Sequence, residues 1–322
     1  MLLSLVAVAG GLALLVFSAD RFILGAAASA RALGVPALLI GLTVVGIGTS
    51  LPEIVVSTVA SVQGKAGLAI GNAVGSNITN ILLVLGATAL MMPLAVPRGL
   101  SRRELPVLLA VTGGAWLLAA DGQLSALDGI LLLLALAALL AFLARLARDD
   151  GDPADDPLAA EIIAANEVEL APRAAAGWLA LGVVLMPVSS QLLVWGASNI
   201  AAALGVSELV IGLTVVAVGT SLPELATSLA AVRRRAHELV LGNIVGSNLF
   251  NLLAVLPAPA LLAPGLLPDG ALARDLPVMA GATVALFLLC VLRGGRIGRG
   301  HGLLLLAAFA AYQTLLYVSR FQ

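Results

Sequence analysis

Charge is scarce in this chain. Of its 322 residues, 11% are Asp, Glu, Lys or Arg, where a soluble domain carries about 25%. With 61% hydrophobic residues and a mean hydropathy of +1.09, a soluble globular fold is excluded and a polytopic membrane protein is expected. Sulfur and imidazole are scarcer still. A single cysteine, Cys290, excludes an internal disulfide and a thiolate metal cluster. The two histidines, His237 and His301, sit beside charged or glycine-rich stretches and read as helix-boundary residues, not metal ligands. The net charge of −1 gives no reason to expect a nucleic-acid partner. No nucleophile–base pair or cofactor loop stands out, so no enzyme chemistry and no resident cofactor are expected. Nothing before Arg21 is basic, so MLLSLVAVAGGLALLVF reads as a first membrane span and not as a secretory signal.

What the chain does have is a repetition. Residues 41–53 read GLTVVGIGTSLPE and residues 212–224 read GLTVVAVGTSLPE, identical at 11 of 13 positions and 171 residues apart. At the same offset, GNAVGSNITNILLVL (71–85) aligns on GNIVGSNLFNLLAVL (242–256), and ALGVPALLI (32–40) on ALGVSELVI (203–211). So long a period is no solenoid. It describes two homologous halves: 1–146 with a repeat at about 32–85, and 174–322 with a repeat at about 203–256. Between them, 147–173 carries RDDGDPADDP followed by Glu161, Glu167 and Glu169. A stretch so rich in charge buries no core and reads as an acidic linker.

A spanning helix needs roughly 20 apolar residues. Ten segments fit: 2–18, 33–62, 67–91, 104–120, 126–146, 174–203, 207–232, 238–258, 275–292 and 302–319. Five per half is odd, so the second half enters the membrane from the opposite side. The fold class expected is an all-α membrane protein of ten transmembrane helices in two inverted five-helix repeats. Arginine and lysine orient it, because cytoplasmic loops are enriched in them. With both termini outside, 14 of the 17 basic residues face the cytoplasm, and only Lys65, Arg274 and Arg320 face out. The linker is then cytoplasmic, the membrane is the cytoplasmic (inner) one, and Arg233, Arg234 and Arg235 read as a topology anchor.

Of 18 acidic residues, only Glu53 and Glu224 fall well inside spans. Each costs about 2.5–3.5 kcal/mol on insertion scales, and no intramembrane Lys or Arg is there to pair with them. The missing counter-charge is a cation or a proton. Their neighbours carry oxygen. Thr49 and Glu53, and Thr220 and Glu224, are spaced i, i+4 and share a helix face, with Ser50 and Ser221 between them. Pro52 and Pro223 remove an amide at each site, and Gly46 and Gly48 weaken the same turn, so a broken helix with freed carbonyls is expected. Ser76 and Asn80, and Ser247 and Asn251, line one face of the second segment of each half. Together these make an all-oxygen set for a hard cation. The glycines Gly67, Gly71 and Gly75 read as a packing ridge. The sequon Asn77-Ile78-Thr79 lies inside a span and is inert.

GTSLPE at 48–53 and 219–224, with GNAVGSNITN at 71–80 and GNIVGSNLFN at 242–251, resembles the paired alpha repeats of the calcium/cation antiporter superfamily, in its prokaryotic sodium/calcium exchanger branch. The resemblance covers both repeats. It implies ion contacts from Thr49, Ser50, Glu53, Ser76, Asn80, Thr220, Ser221, Glu224, Ser247 and Asn251, and from backbone carbonyls near Gly46 and Ala217. It also implies antiport of Ca2+ against Na+, with both ions as cargo. Some relatives, including potassium-dependent exchangers, carry Asp where this chain has Asn251, which argues against potassium co-transport and leaves a site charge of −2. The proton/calcium branch has a GNAxE-type motif in place of GTSLPE, and proton coupling stays open as the alternative. A channel normally builds its pore from several subunits. Here two copies in one chain already surround a site, so a functional monomer in the lipid bilayer is expected, with a channel as the remote alternative.

Overall fold

The structure, a computed structural model, describes residues 1–33, 40–149, 170–203, 217–292 and 296–318. Most of the linker, the start of each repeat, residues 212–216, Arg293 and Arg320 lie outside the described residues. The described residues are helical almost throughout. Helix α1 covers Leu2–Leu33; α2 is Gly41–Thr49 and α3 Leu51–Val62. Helix α4 runs from Ala66 to Met91 with a π-helical stretch at Asn80–Leu85. Helix α5 is Glu104–Leu118 and α6 Ala126–Asp149. In the second half, α7 is Pro172–Ala203, α8 Ala217–Thr220 and α9 Leu222–Arg233. Then come α10 (His237–Leu262, π-helical at Asn251–Val255), α11 (Ala271–Val291) and α12 (Arg299–Val318). Two-residue strands pair the interhelical turns, Leu94–Ala95 with Arg296–Ile297 and Gln123–Leu124 with Gly265–Leu266.

Among the described residues, seven helices are long and apolar enough to cross a membrane, and α2 with α3 makes an eighth when the bent pair is taken as one. Helix α5 is shorter than the expected span 104–120. Helix α1 departs from expectation in the other direction. The span was expected to close near residue 18, yet the helix continues to Leu33, because after Gly25 the segment AAASARAL is rich in alanine and holds no proline or further glycine to stop it. Both histidines stand at helix starts, as boundary residues do: His237 opens α10, and His301 in the first turn of α12 accepts the Gly298 amide at 3.1 Å.

Burial separates the helices into two groups. Helices α4 and α10 are 72% and 94% buried in their apolar windows, whereas α1 and α7 are 33% and 22% buried. The outer pair packs antiparallel. Gly25 of α1 lies against the Ala175 carbonyl and Leu179 amide, and Gly196 of α7 against the Ser4 carbonyl and Val8 amide. Each contact is the other shifted by 171 residues. The turns after α3 and α9 repeat at the same offset: Gly64 (φ +73°) and Arg235 (φ +54°) both take left-handed backbone. That is ordinary for glycine and uncommon for arginine.

In the interior, α2 crosses α10 backbone to backbone. A Cβ on Gly41 would stand 3.0 Å from the Gly242 Cα, and one on Gly46 would stand 3.1 Å from the Gly246 Cα. Only glycines permit that approach. The Gly67–Gly71–Gly75 ridge does less among the described residues: Gly67 meets Pro268, while Gly71 and Gly75 meet nothing within 4 Å.

Candidate functional site

The interruption of the helix falls at Ser50 (φ −82°, ψ 1°), and α2 and α3 diverge there by 46°. Pro52 lies in the first turn of α3, where a missing N–H costs no helical bond. The break therefore puts Glu53 in the first turn of a new helix, whose N-terminal amides lack helical acceptors and favour a negative charge. Ser221 (φ −89°, ψ 7°) and Glu224 repeat this ahead of and within α9. The two copies differ in a backbone bond at the break: Ser50 N–H donates to the Gly46 carbonyl, but Ser221 N–H donates to Val218 instead of Ala217.

Glu53 and Glu224 are both 0% exposed. Thr220 and Ser221 lie beside Glu53, and Thr49, Ser50 and Ser247 beside Glu224. Ser50 Oγ donates to Glu224 Oε1 at 3.4 Å, and Thr49 Oγ1 is 3.1 Å from Ser247 Oγ. Glu53 thus rests among hydroxyls of the second half, and Glu224 among hydroxyls of both halves. Ser76, Asn80, Ser247 and Asn251 are buried on α4 and α10, with Asn80 and Asn251 at the first residue of their π-helical stretches. Such widened turns are frequent at functional sites.

Many of these atoms lack partners. Both Glu53 oxygens, Glu224 Oε2, Ser221 Oγ and the side-chain O and N of Asn80 and Asn251 are buried without a hydrogen bond. Unpaired buried polar atoms are rare and cost about 1–3 kcal/mol each. Two buried carboxylates among hydroxyls, with three of their four oxygens unpaired, have the hardness and charge that a small hard cation takes up. Two other buried acids, Glu104 and Glu238, stand in the first turns of α5 and α10 and each have an interaction partner, although Glu104 Oε2 accepts no hydrogen bond.

Two residues that the sequence reading passed over join the halves. Asn243 Nδ2 donates to Thr227 Oγ1 (3.1 Å), Ser228 Oγ (3.0 Å) and the Glu224 carbonyl (3.4 Å). Its Oδ1 accepts from Thr49 Oγ1 at 3.1 Å. Asn72 mirrors it: Nδ2 donates to Ser57 Oγ (2.9 Å) and the Glu53 carbonyl (3.2 Å), and Oδ1 accepts from Thr220 Oγ1 at 3.3 Å. A signal was present, since Asn72, Ser76 and Asn80 are spaced i, i+4, i+8 on one helix face. Gly48, inside the motif, faces Phe22 of α1 and Val183 of α7, so the outer pair rests on the break itself.

The description "Sodium/calcium exchanger protein" belongs to the family whose pattern matches residues 3–145 and 174–318. The inner membrane protein YrbG of Escherichia coli (strain K12) is 43% identical over 317 residues, covering 98% of each chain. The sodium/calcium exchanger MaX1 of Methanosarcina acetivorans is 30% identical over 343 residues, covering 95% of this chain and 96% of its own. A solved structure of the sodium-calcium exchanger NCX_Mj, soaked with Na+ and Ca2+, superposes with a TM-score of 0.81 at 35% identity, covering 97% of both chains. The apolar helices and these relatives make the protein a multi-pass protein of the cytoplasmic membrane. With both halves matched and the whole chain aligned, the chain belongs to the sodium/calcium exchanger protein family.

Proposed function

We propose that this protein exchanges Ca2+ for Na+ across the cytoplasmic membrane by alternating access to one site between Glu53 and Glu224. The observation that carries the reading is the pair of fully buried carboxylates that, among the described residues, have no basic partner and leave three of their four oxygens unpaired. Ten spans in two inverted halves, with both termini outside and the linker in the cytoplasm, is the arrangement proposed. The antiparallel packing of α1 against its repeat counterpart α7 supports inversion. One chain holds both copies, which supports a functional monomer.

In this reading Thr49, Ser50, Glu53, Ser76 and Asn80 face Thr220, Ser221, Glu224, Ser247 and Asn251 across the cation, with the Gly46 and Ala217 carbonyls at the broken helix ends. One Ca2+ neutralises the site charge of −2, as do two monovalent ions. The loaded site then crosses between faces without exposing net charge to lipid. An empty site, with two bare carboxylates, does not. That difference makes the protein an exchanger and not a leak.

Asn72 and Asn243 position the threonines. Asn72 Oδ1 accepts the Thr220 hydroxyl proton, and Asn243 Oδ1 shares the Thr49 proton with the Val45 carbonyl, both at 3.1 Å, which leaves Thr lone pairs for the cation. Asn243→Ala should raise the half-saturating calcium concentration roughly tenfold, the equivalent of about 1.4 kcal/mol. Calcium-induced thermal stabilisation of the purified protein measures this separately from folding.

Flux in liposomes tests the coupling. Calcium uptake should follow an imposed outward sodium gradient and ignore a pH gradient. Uptake that follows pH and ignores sodium would assign the same carboxylates to proton coupling. Current without counter-ion exchange would make the protein a channel.

A further inference from the structure

The two halves of the molecule are not in the same state. Helix α1 packs along α9, whereas among the described residues its counterpart α7 makes only marginal contact with α3. At the tight end Asp20 Oδ1 accepts from Arg234 Nη2 at 2.6 Å, joining α1 to the turn after α9. Beside it the Arg21 guanidinium stacks over Phe17 (5.5 Å) and Trp178 of α7 (5.2 Å), so the tie reaches both outer helices.

The repeat identifies the counterparts of these groups. Shifted by 171, Asp20 becomes Gln191 and Arg234 becomes Gln63. The register is fixed by structure: Ser18 Oγ donates to the Leu15 carbonyl (3.0 Å), and Ser189 Oγ to the Met186 carbonyl (2.8 Å). Gln63 and Arg234 cap their helices with matching backbone, φ −80° with ψ 4° and φ −90° with ψ 9°. Yet Gln63 and Gln191 are exposed, and among the described residues neither side chain has a hydrogen bond.

We propose that Asp20 and Arg234 form a clasp that holds one of the two transport states, and that Gln191 and Gln63 form its neutral counterpart in the other. This rests on the alternating-access reading: the packing of α1 on α9 seen here is exchanged for packing of α7 on α3 in the other state. That exchange breaks one pair as it makes the other. One pair is charged and one is not, so the two states are unequal, and the ion pair favours the state seen here. By the arginine distribution this end is cytoplasmic, so the clasp holds the cytoplasmic side shut. Arg234 and Asp20 keep 23% and 44% of their side-chain surface exposed, which keeps the bias modest. A pair of this exposure shifts a two-state population roughly two- to fivefold.

The scarcity of cysteine makes the test clean. In the full chain with Cys290→Ser, Gln63→Cys and Gln191→Cys, reconstituted in liposomes, the rate of oxidative cross-linking reports how often the second pair meets. A cross-link should form, and Asp20→Asn and Arg234→Gln should each raise its rate roughly two- to fivefold. The reversed pair, Asp20→Arg with Arg234→Asp, should bring the rate back down. Absence of a cross-link in every variant, or rates indifferent to Asp20→Asn and Arg234→Gln, overturns the clasp. Rates that respond as stated in a protein that fails to exchange sodium for calcium keep the clasp and overturn the transport reading.

Discussion

Glu53→Gln and Glu224→Gln should each abolish sodium-dependent calcium uptake. A glutamine keeps the shape and one oxygen but removes a unit of charge, so a bound Ca2+ is left half-neutralised in a site from which water is excluded. Removing one member of a buried charge pair costs about 3–5 kcal/mol, which weakens calcium binding roughly 10²–10⁴-fold. The fold should tolerate the change. Without a cation the carboxylates repel one another, so either glutamine leaves thermal unfolding of the cation-free protein unchanged or raises it. The sign separates a ligand from a structural acid: a structural Glu would lower stability with no cation present, whereas these variants lose only the stabilisation that calcium adds. Flux and thermal unfolding with and without calcium measure both.

Gly246→Ala should be nearly as damaging for a different reason. A methyl group there would run into the Leu42 carbonyl, with the Leu42 Cα 2.9 Å away. Both are backbone atoms of α2, so no side-chain rotation relieves the clash, and α2 must move away from α10. Overpacking of this kind costs about 1–3 kcal/mol. The larger effect is functional, because Ser247 is the next residue and Thr49 reaches it and Asn243 across the same contact. Separation of α2 and α10 pulls Thr49 off both, and calcium uptake should fall to background. Gly113→Ala is the control: Gly113 is exposed on α5 and its Cβ would meet nothing within 4 Å among the described residues. It should leave transport intact and stabilise the helix by about 0.5–1 kcal/mol.

The duplicated GTSLPE was legible because it states both the chemistry and the break: an intramembrane carboxylate, a proline and two flanking hydroxyls, written twice. Burial in the structure concentrates on the helices of the second duplicated segment, α4 and α10. Other features were less visible. Asn72 and Asn243 lay inside the repeat, but their partners are threonines 148 and 194 residues away, and no local pattern reports so distant a bond. The length of α1 was misjudged because a hydropathy window closes at Asp20 and Arg21, while helix propensity continues to Leu33. Those two charges are accommodated by Arg234, Phe17 and Trp178, partners known only once α1, α7 and α9 are assembled. The difference between the two halves was overlooked because the repeat shows what the copies share, whereas Asp20 against Gln191 and Arg234 against Gln63 lie where they diverge.

The central claim is that calcium and sodium compete for one set of oxygens between Glu53 and Glu224. Equilibrium binding of radioactive calcium to the purified protein, titrated with sodium, tests it most directly. The account predicts one saturable calcium site per chain, displaced completely by sodium with a dependence steeper than first power, and absent from the Glu53→Gln, Glu224→Gln double variant. Calcium that stays bound in saturating sodium, or that binds the double variant as tightly as the parent, would contradict it.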